Sequence, residues 1–178
     1  MVTPKQKAMV VTTIFSLLGI LECFRLTSNW QIYLPLILFY ITITINMYHS
    51  VVLFSGITPK EMKTQHMLDG LLIISYLGLA FNFNHPINFI FSDLMLFIIA
   101  SAKYAFLLHK VHHPILLKRK ILIDILGTLW AALALGTILL GYAMLSVWGL
   151  ALGFIFVNIL LFFVWPLYKL DALIQKAN

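Results

Sequence analysis

The chain has 178 residues, of which 62% are apolar and only 10% charged, with a formal net charge of +6. Soluble domains carry about 25% charged residues, so this composition excludes an ordinary water-soluble domain and points to an all-α integral membrane protein. The single cysteine, Cys23, excludes an intrachain disulfide, a Cys-x-x-Cys redox pair and a multi-cysteine zinc site.

Six apolar segments, each near the length that crosses a bilayer, run roughly over 8–24, 32–54, 67–84, 87–108, 121–142 and 145–167. The first follows Met1–Lys7 and imitates a signal peptide, but no small-x-small cleavage site follows it. Glu22, Cys23 and Arg25 close the run, so it reads as an uncleaved span. The second carries Thr42, Asn46 and His49, spaced four and three apart and therefore on one helix face, with Ser50 beside them. An Asn and a His on one face need partners from another helix or from water, so this face should point into the bundle.

The third segment is short, starts near Asp69 and is the least secure of the six. The fourth holds Asp93 about six residues in from its outer end, roughly 9 Å at helical rise, and Lys103 near its inner end. Asp124 lies at the inner end of the fifth. The fifth and sixth carry small-residue spacings that let helices approach closely: Gly127-x-x-x-Ala131, Ala132-x-x-x-Gly136 and Gly149-x-x-x-Gly153. The tail, Lys169–Asn178, suggests one or two interfacial turns. Residues 1–178 read as one transmembrane domain of about six helices, without a repeat or a second domain.

Loop charge sets the orientation. With six spans, one side carries Lys5, Lys7, Lys60, Lys63, Lys110, Lys118, Arg119, Lys120, Lys169 and Lys176, and the other only Arg25. Positive short loops stay cytoplasmic, so both termini are expected inside, in a cytoplasmic (inner) membrane. Lys110, Lys118, Arg119 and Lys120 then form a basic strip suited to anionic lipid head groups or to a cytoplasmic protein partner. Because topology accounts for the positive charge, nucleic acid is not an expected partner.

Charged groups inside spans cost roughly 2.5–3.5 kcal/mol at the centre and less near the ends, so they face protein, water or one another. The simplest reading of Lys103 is an ion pair with Asp69 or Asp124, leaving the other acid in water. Asp93 has only Arg25 and His85 as basic candidates on its side, and so lines an aqueous pocket or is kept neutral.

The six-span topology also brings His49, His66, Asp69, His109, His112, His113 and Asp124 to one cytoplasmic layer. Imidazole and carboxylate ligands suit zinc or iron, and a site needs three or more within reach. His109-x-x-His112-His113 resembles one of the histidine boxes of the membrane fatty-acid desaturases and hydroxylases. That resemblance implies iron held at the cytoplasmic surface, with His109, His112 and His113 as ligands. No second box of that kind occurs in the chain.

Two classes of function fit these residues. The first is a non-enzymatic transport or pore unit, or the membrane subunit of a larger complex, in which Asp93, the Thr42–Asn46–His49 face and small-residue packing carry the function. Such a protein is expected to form a homo-oligomer or a complex. The second is a membrane-bound metal-dependent enzyme acting on lipid or another apolar substrate through the cytoplasmic His/Asp layer. A two-haem electron carrier needs facing histidine pairs, and only His49 sits well inside a span. Phosphate-loop, Gly-x-Ser-x-Gly and His-Glu-x-x-His motifs are absent.

Overall fold

The structure, a computed structural model, describes residues 3–26, 29–59, 63–111 and 114–164. Every regular element among them is helical: α1 Pro4–Cys23, α2 Trp30–Ile57, α3 Lys63–Phe81, α4 Pro86–Leu108, α5 Pro114–Leu139 and α6 Ala143–Ile159, the last continuing as a π-helical turn over Leu160–Val164. His112, His113 and the tail beyond residue 164 lie outside the described residues.

Helix starts follow local chemistry. Three of the six begin on a proline, whose fixed φ and missing N–H suit the first helical position. Thr3 caps α1 reciprocally: its hydroxyl accepts from the Gln6 backbone N–H at 3.2 Å, and the Gln6 amide oxygen accepts from the Thr3 N–H at 2.9 Å. Pro114 opens α5, so that helix starts about two turns before the apolar run alone suggests. Lys118, Arg119 and Lys120 are therefore helical residues rather than loop residues. The tight α5–α6 connection passes through Gly141 at φ 91°, a conformation that a side chain would strain.

Five helices are long and apolar enough to cross a membrane: α1, α2, α4, α5 and α6 with its π-helical extension. α3, with Lys63 and Asp69 among its 19 residues, falls outside that set. Outward faces are apolar. On α5, Leu122, Leu126, Leu129 and Leu133 recur at helical spacing and are all exposed, as are Met9, Ile14 and Leu17 on α1. Water would not tolerate apolar stripes of this extent, whereas lipid accommodates them.

Around the bundle the neighbours run α1, α2, α6, α5, α4, α3 and back to α1, a closed ring in which the α1–α3 contact is the sparsest. Aromatic rings fill its axis. Phe39 of α2 meets Phe154 of α6 at 4.7 Å and Phe89 of α4 at 5.8 Å between centroids, and Phe97 meets Phe154 at 5.8 Å. Phe83 stacks on Phe89 and lies edge-on to Tyr40, whose hydroxyl donates to the Phe15 carbonyl at 2.8 Å and ties α2 to α1.

The small residues receive rings rather than neighbouring backbone. Gly153 lies against the Trp130 indole, whose N–H donates to the Gly149 carbonyl at 3.2 Å, so the Gly149-x-x-x-Gly153 spacing serves α5–α6 packing within the chain. Gly127 lies against the Phe97 ring in the same way, while Gly136 faces open space.

Candidate functional site

The aromatic packing ends partway down the ring, and below it a cavity of about 650 Å³ opens at the end that holds the start of α1. Sites for small molecules are typically about 300–1,000 Å³. Five helices line it: Lys7 and Phe15 from α1; Asn46, Ser50 and Phe54 from α2; Gln65, His66, Asp69 and Tyr76 from α3; Phe97, Lys103 and Tyr104 from α4; Lys120 and Asp124 from α5. The starts of α1, α3 and α5 and the ends of α2 and α4 thus share one end of the bundle, which is also its basic end.

Two ion pairs stand in the wall. Lys103 Nζ donates to Asp69 Oδ1 at 2.5 Å, joining α4 to α3. Lys120 Nζ donates to Asp124 Oδ1 at 2.5 Å, one turn along α5. The Tyr104 ring lies between them, with Lys103 Nζ 5.7 Å and Lys120 Nζ 5.4 Å from its centroid, within cation–π range. Asp124 is therefore not the solvent-exposed acid expected of a single pair with Lys103; it is 0% exposed and has its own lysine. Lys120, 5% exposed, likewise stands apart from the basic strip. Lys110, Lys118 and Arg119 are exposed.

Some polar atoms in this wall have no hydrogen-bond partner among the described residues. Asp124 Oδ2 is one, and both amide atoms of Gln65, a residue only 1% exposed, are others. A buried polar group left unmatched costs about 1–3 kcal/mol, so each stands ready for something the bare helices do not supply.

Asp93 lies one turn beyond the floor formed by Leu96 and Phe97. It is 0% exposed, and neither carboxyl oxygen has a partner among the described residues. Arg25, one of its two candidate partners, is held by Glu22 at 2.9 Å, and the other, His85, is exposed.

The expected polar face on α2 divides. Asn46 is buried at the cavity, with Ser50 one turn below it. The Thr42 hydroxyl donates back to the Leu38 carbonyl at 2.8 Å. His49 lies edge-on to Phe162, 4.9 Å between ring centroids, and to Tyr48 at 5.3 Å. Of the expected metal layer, His66, Asp69 and Asp124 border the cavity and His109 is exposed at the end of α4. Among the described residues no group of three or more His, Cys, Asp or Glu side chains is gathered to hold a metal ion.

Gln65 and Tyr104 escaped the sequence reading. Gln65 sits among polar neighbours at a helix start and carries no periodic signal, and Tyr104 reads as an interfacial aromatic. Tertiary packing buries them, and for Tyr104 this includes the Phe54 ring of α2, 4.4 Å between centroids.

Fold and site together define an all-helical bundle with membrane-crossing helices and a polar-walled cavity at one end. Comparison with known proteins finds no matching family model, no matching curated protein and no matching solved structure, so function is argued from this geometry.

Proposed function

We propose that the protein is a membrane carrier, seen with its ligand cavity open at the basic end, that α3 crosses alongside the five longer apolar helices, and that the basic end and both termini therefore face the cytoplasm. The observation that carries the reading is the cavity of about 650 Å³ that stops at Leu96 and Phe97, with the Asp93 carboxyl, which has no partner among the described residues, buried one turn further on. Intramembrane acids are functional groups by default. A buried carboxyl with no partner among the described residues gains from any conformation in which the aromatic cluster parts and water or a ligand reaches it. Two conformations a few kcal/mol apart are what a carrier needs. The charge of Lys7, Lys110, Lys118 and Arg119 at the cavity end supports the orientation.

The test uses sealed vesicles, a Cys23→Ser background and a membrane-impermeant thiol reagent. Ser50→Cys, in the cavity wall, should react only from the cytoplasmic side. Ile90→Cys, one turn outward of Asp93 and fully buried, should react slowly and only from the opposite side. Reaction of both positions from both sides would indicate a pore, and complete protection of Ile90→Cys a static subunit; either result removes the carrier.

A further inference from the structure

We propose that the cavity binds a small amphipathic zwitterion: an ammonium and an anionic group a few ångströms apart, joined to a compact apolar portion. The inference rests on the carrier reading only in using its cavity.

Charge balance is the first ground. Each buried ammonium in the wall already has a carboxylate at 2.5 Å. A ligand with one charge would capture one member of a pair and leave the other uncompensated, a cost that is largest for Lys103, Lys120 or Asp124 and smaller for Asp69, whose side chain is 34% exposed. A ligand with both charges exchanges partners and leaves nothing over. The Lys103–Asp69 pair is built for such an exchange, because its lysine side chain is 12% exposed and its aspartate 34%. Asp69 can swing toward the mouth to meet an ammonium while Lys103 stays to hold the anionic group.

Unmatched atoms are the second ground. Among the described residues nothing pairs with the amide donor and acceptor of Gln65, almost fully buried, and Asp124 keeps Oδ2 as a further acceptor. Donor and acceptor capacity side by side suits a ligand that both accepts and donates. The third ground is the uneven polarity of the wall. Away from the ion pairs the wall is mostly apolar, through Phe15, Ile43, Met47, Leu72, Leu96 and Phe97, with Asn46 among them. A free amphipathic zwitterion and a zwitterionic lipid head group share this chemistry.

The full-length protein in detergent is titrated with phenylalanine, phenethylamine and 3-phenylpropanoate, which share a phenyl group and differ in charge, and with dihexanoyl phosphatidylethanolamine as the lipid source. Thermal shift and calorimetry are the readouts. A zwitterion should raise Tm and bind at least about 30-fold more tightly than phenethylamine, which strands the buried Lys103 ammonium, and more tightly by a smaller factor than 3-phenylpropanoate, which strands the partly exposed Asp69. Phenylalanine alone identifies a free solute, and the lipid alone a head group. Gln65→Leu removes only unmatched atoms, so the unliganded Tm should hold or rise while zwitterion binding weakens. Equal affinity for 3-phenylpropanoate, unchanged binding by Gln65→Leu, or no binding of either zwitterion overturns the inference. Vesicle labelling separates the two readings. If opposite-side labelling holds while zwitterions fail, the carrier stands with another ligand. If zwitterions bind while Ile90→Cys stays protected, the site stands and the carrier falls.

Discussion

Asp93 and the Lys120–Asp124 pair are both buried at 5% exposure or less, yet they place opposite demands on stability. Asp93 has no partner among the described residues to lose, so replacing it with an apolar residue of similar size removes a desolvation cost without stranding a described group. Asp93→Leu should raise stability by about 1–3 kcal/mol in thermal denaturation in detergent, and on the proposed carrier reading it should abolish the opposite-side labelling of Ile90→Cys. A fall in Tm would mean that the carboxyl has a partner after all. Asp124→Asn removes the carboxylate 2.5 Å from a buried ammonium and should cost about 3–5 kcal/mol. The double change Lys120→Met with Asp124→Leu should recover most of that loss, and a double variant as unstable as the single one would assign the cost to packing. The depth of Asp93 was legible from its place in the fourth span. Its isolation was not, because it depends on Arg25 turning to Glu22, three residues away, rather than across the bundle. The burial of Lys120 was hidden for a similar reason: it sits in a basic run whose other members, Lys118 and Arg119, do face out.

Among the elements, hydropathy found the helices and misplaced chiefly one boundary. Pro114 lies well before the apolar run that starts near residue 121, yet it is the first residue of α5, and Leu116 and Leu117 are buried there. The weakness of the third segment was legible too, and α3 is the helix outside the membrane-crossing set. The small-residue spacings were visible, but the rings that occupy them were not, because Trp130 and Phe97 arrive from neighbouring helices. Their consequence can be measured. Gly153→Leu drives a side chain into the Trp130 indole, and overpacking of this kind costs about 1–3 kcal/mol. The gain in helix propensity is at most about 1 kcal/mol, so the expected outcome is a net loss of Tm. Gly136→Leu meets open space, so it should be neutral or slightly stabilising. Equal tolerance at both positions would contradict the α5–α6 packing, and a change of oligomeric state in Gly136→Leu alone would mark the outer face of α5 as a subunit contact.

For the whole molecule, sequence periodicity and loop charge supply a helix count and an orientation but no order around the axis. That order makes the cavity, because it sets α1 against α3 with little contact and brings Asp69, Lys103 and Asp124 to a common wall from three helices. The α1–α3 seam is closed midway by Phe15 against Tyr76, 5.2 Å between ring centroids, and both residues line the cavity. A lateral path from the surrounding lipid to the site would cross this sparsest seam. Phe15→Ala keeps the backbone carbonyl that accepts from Tyr40 but removes the ring, so it should thin the seam without untying α1 from α2. In vesicles, labelling of Ser50→Cys by a membrane-dissolved maleimide should then accelerate, while labelling by an impermeant reagent from the cavity mouth should keep its rate. Acceleration of both would mean that the bundle has loosened as a whole. If neither rate changes, the seam is not a path, and the mouth at the basic end alone admits the ligand.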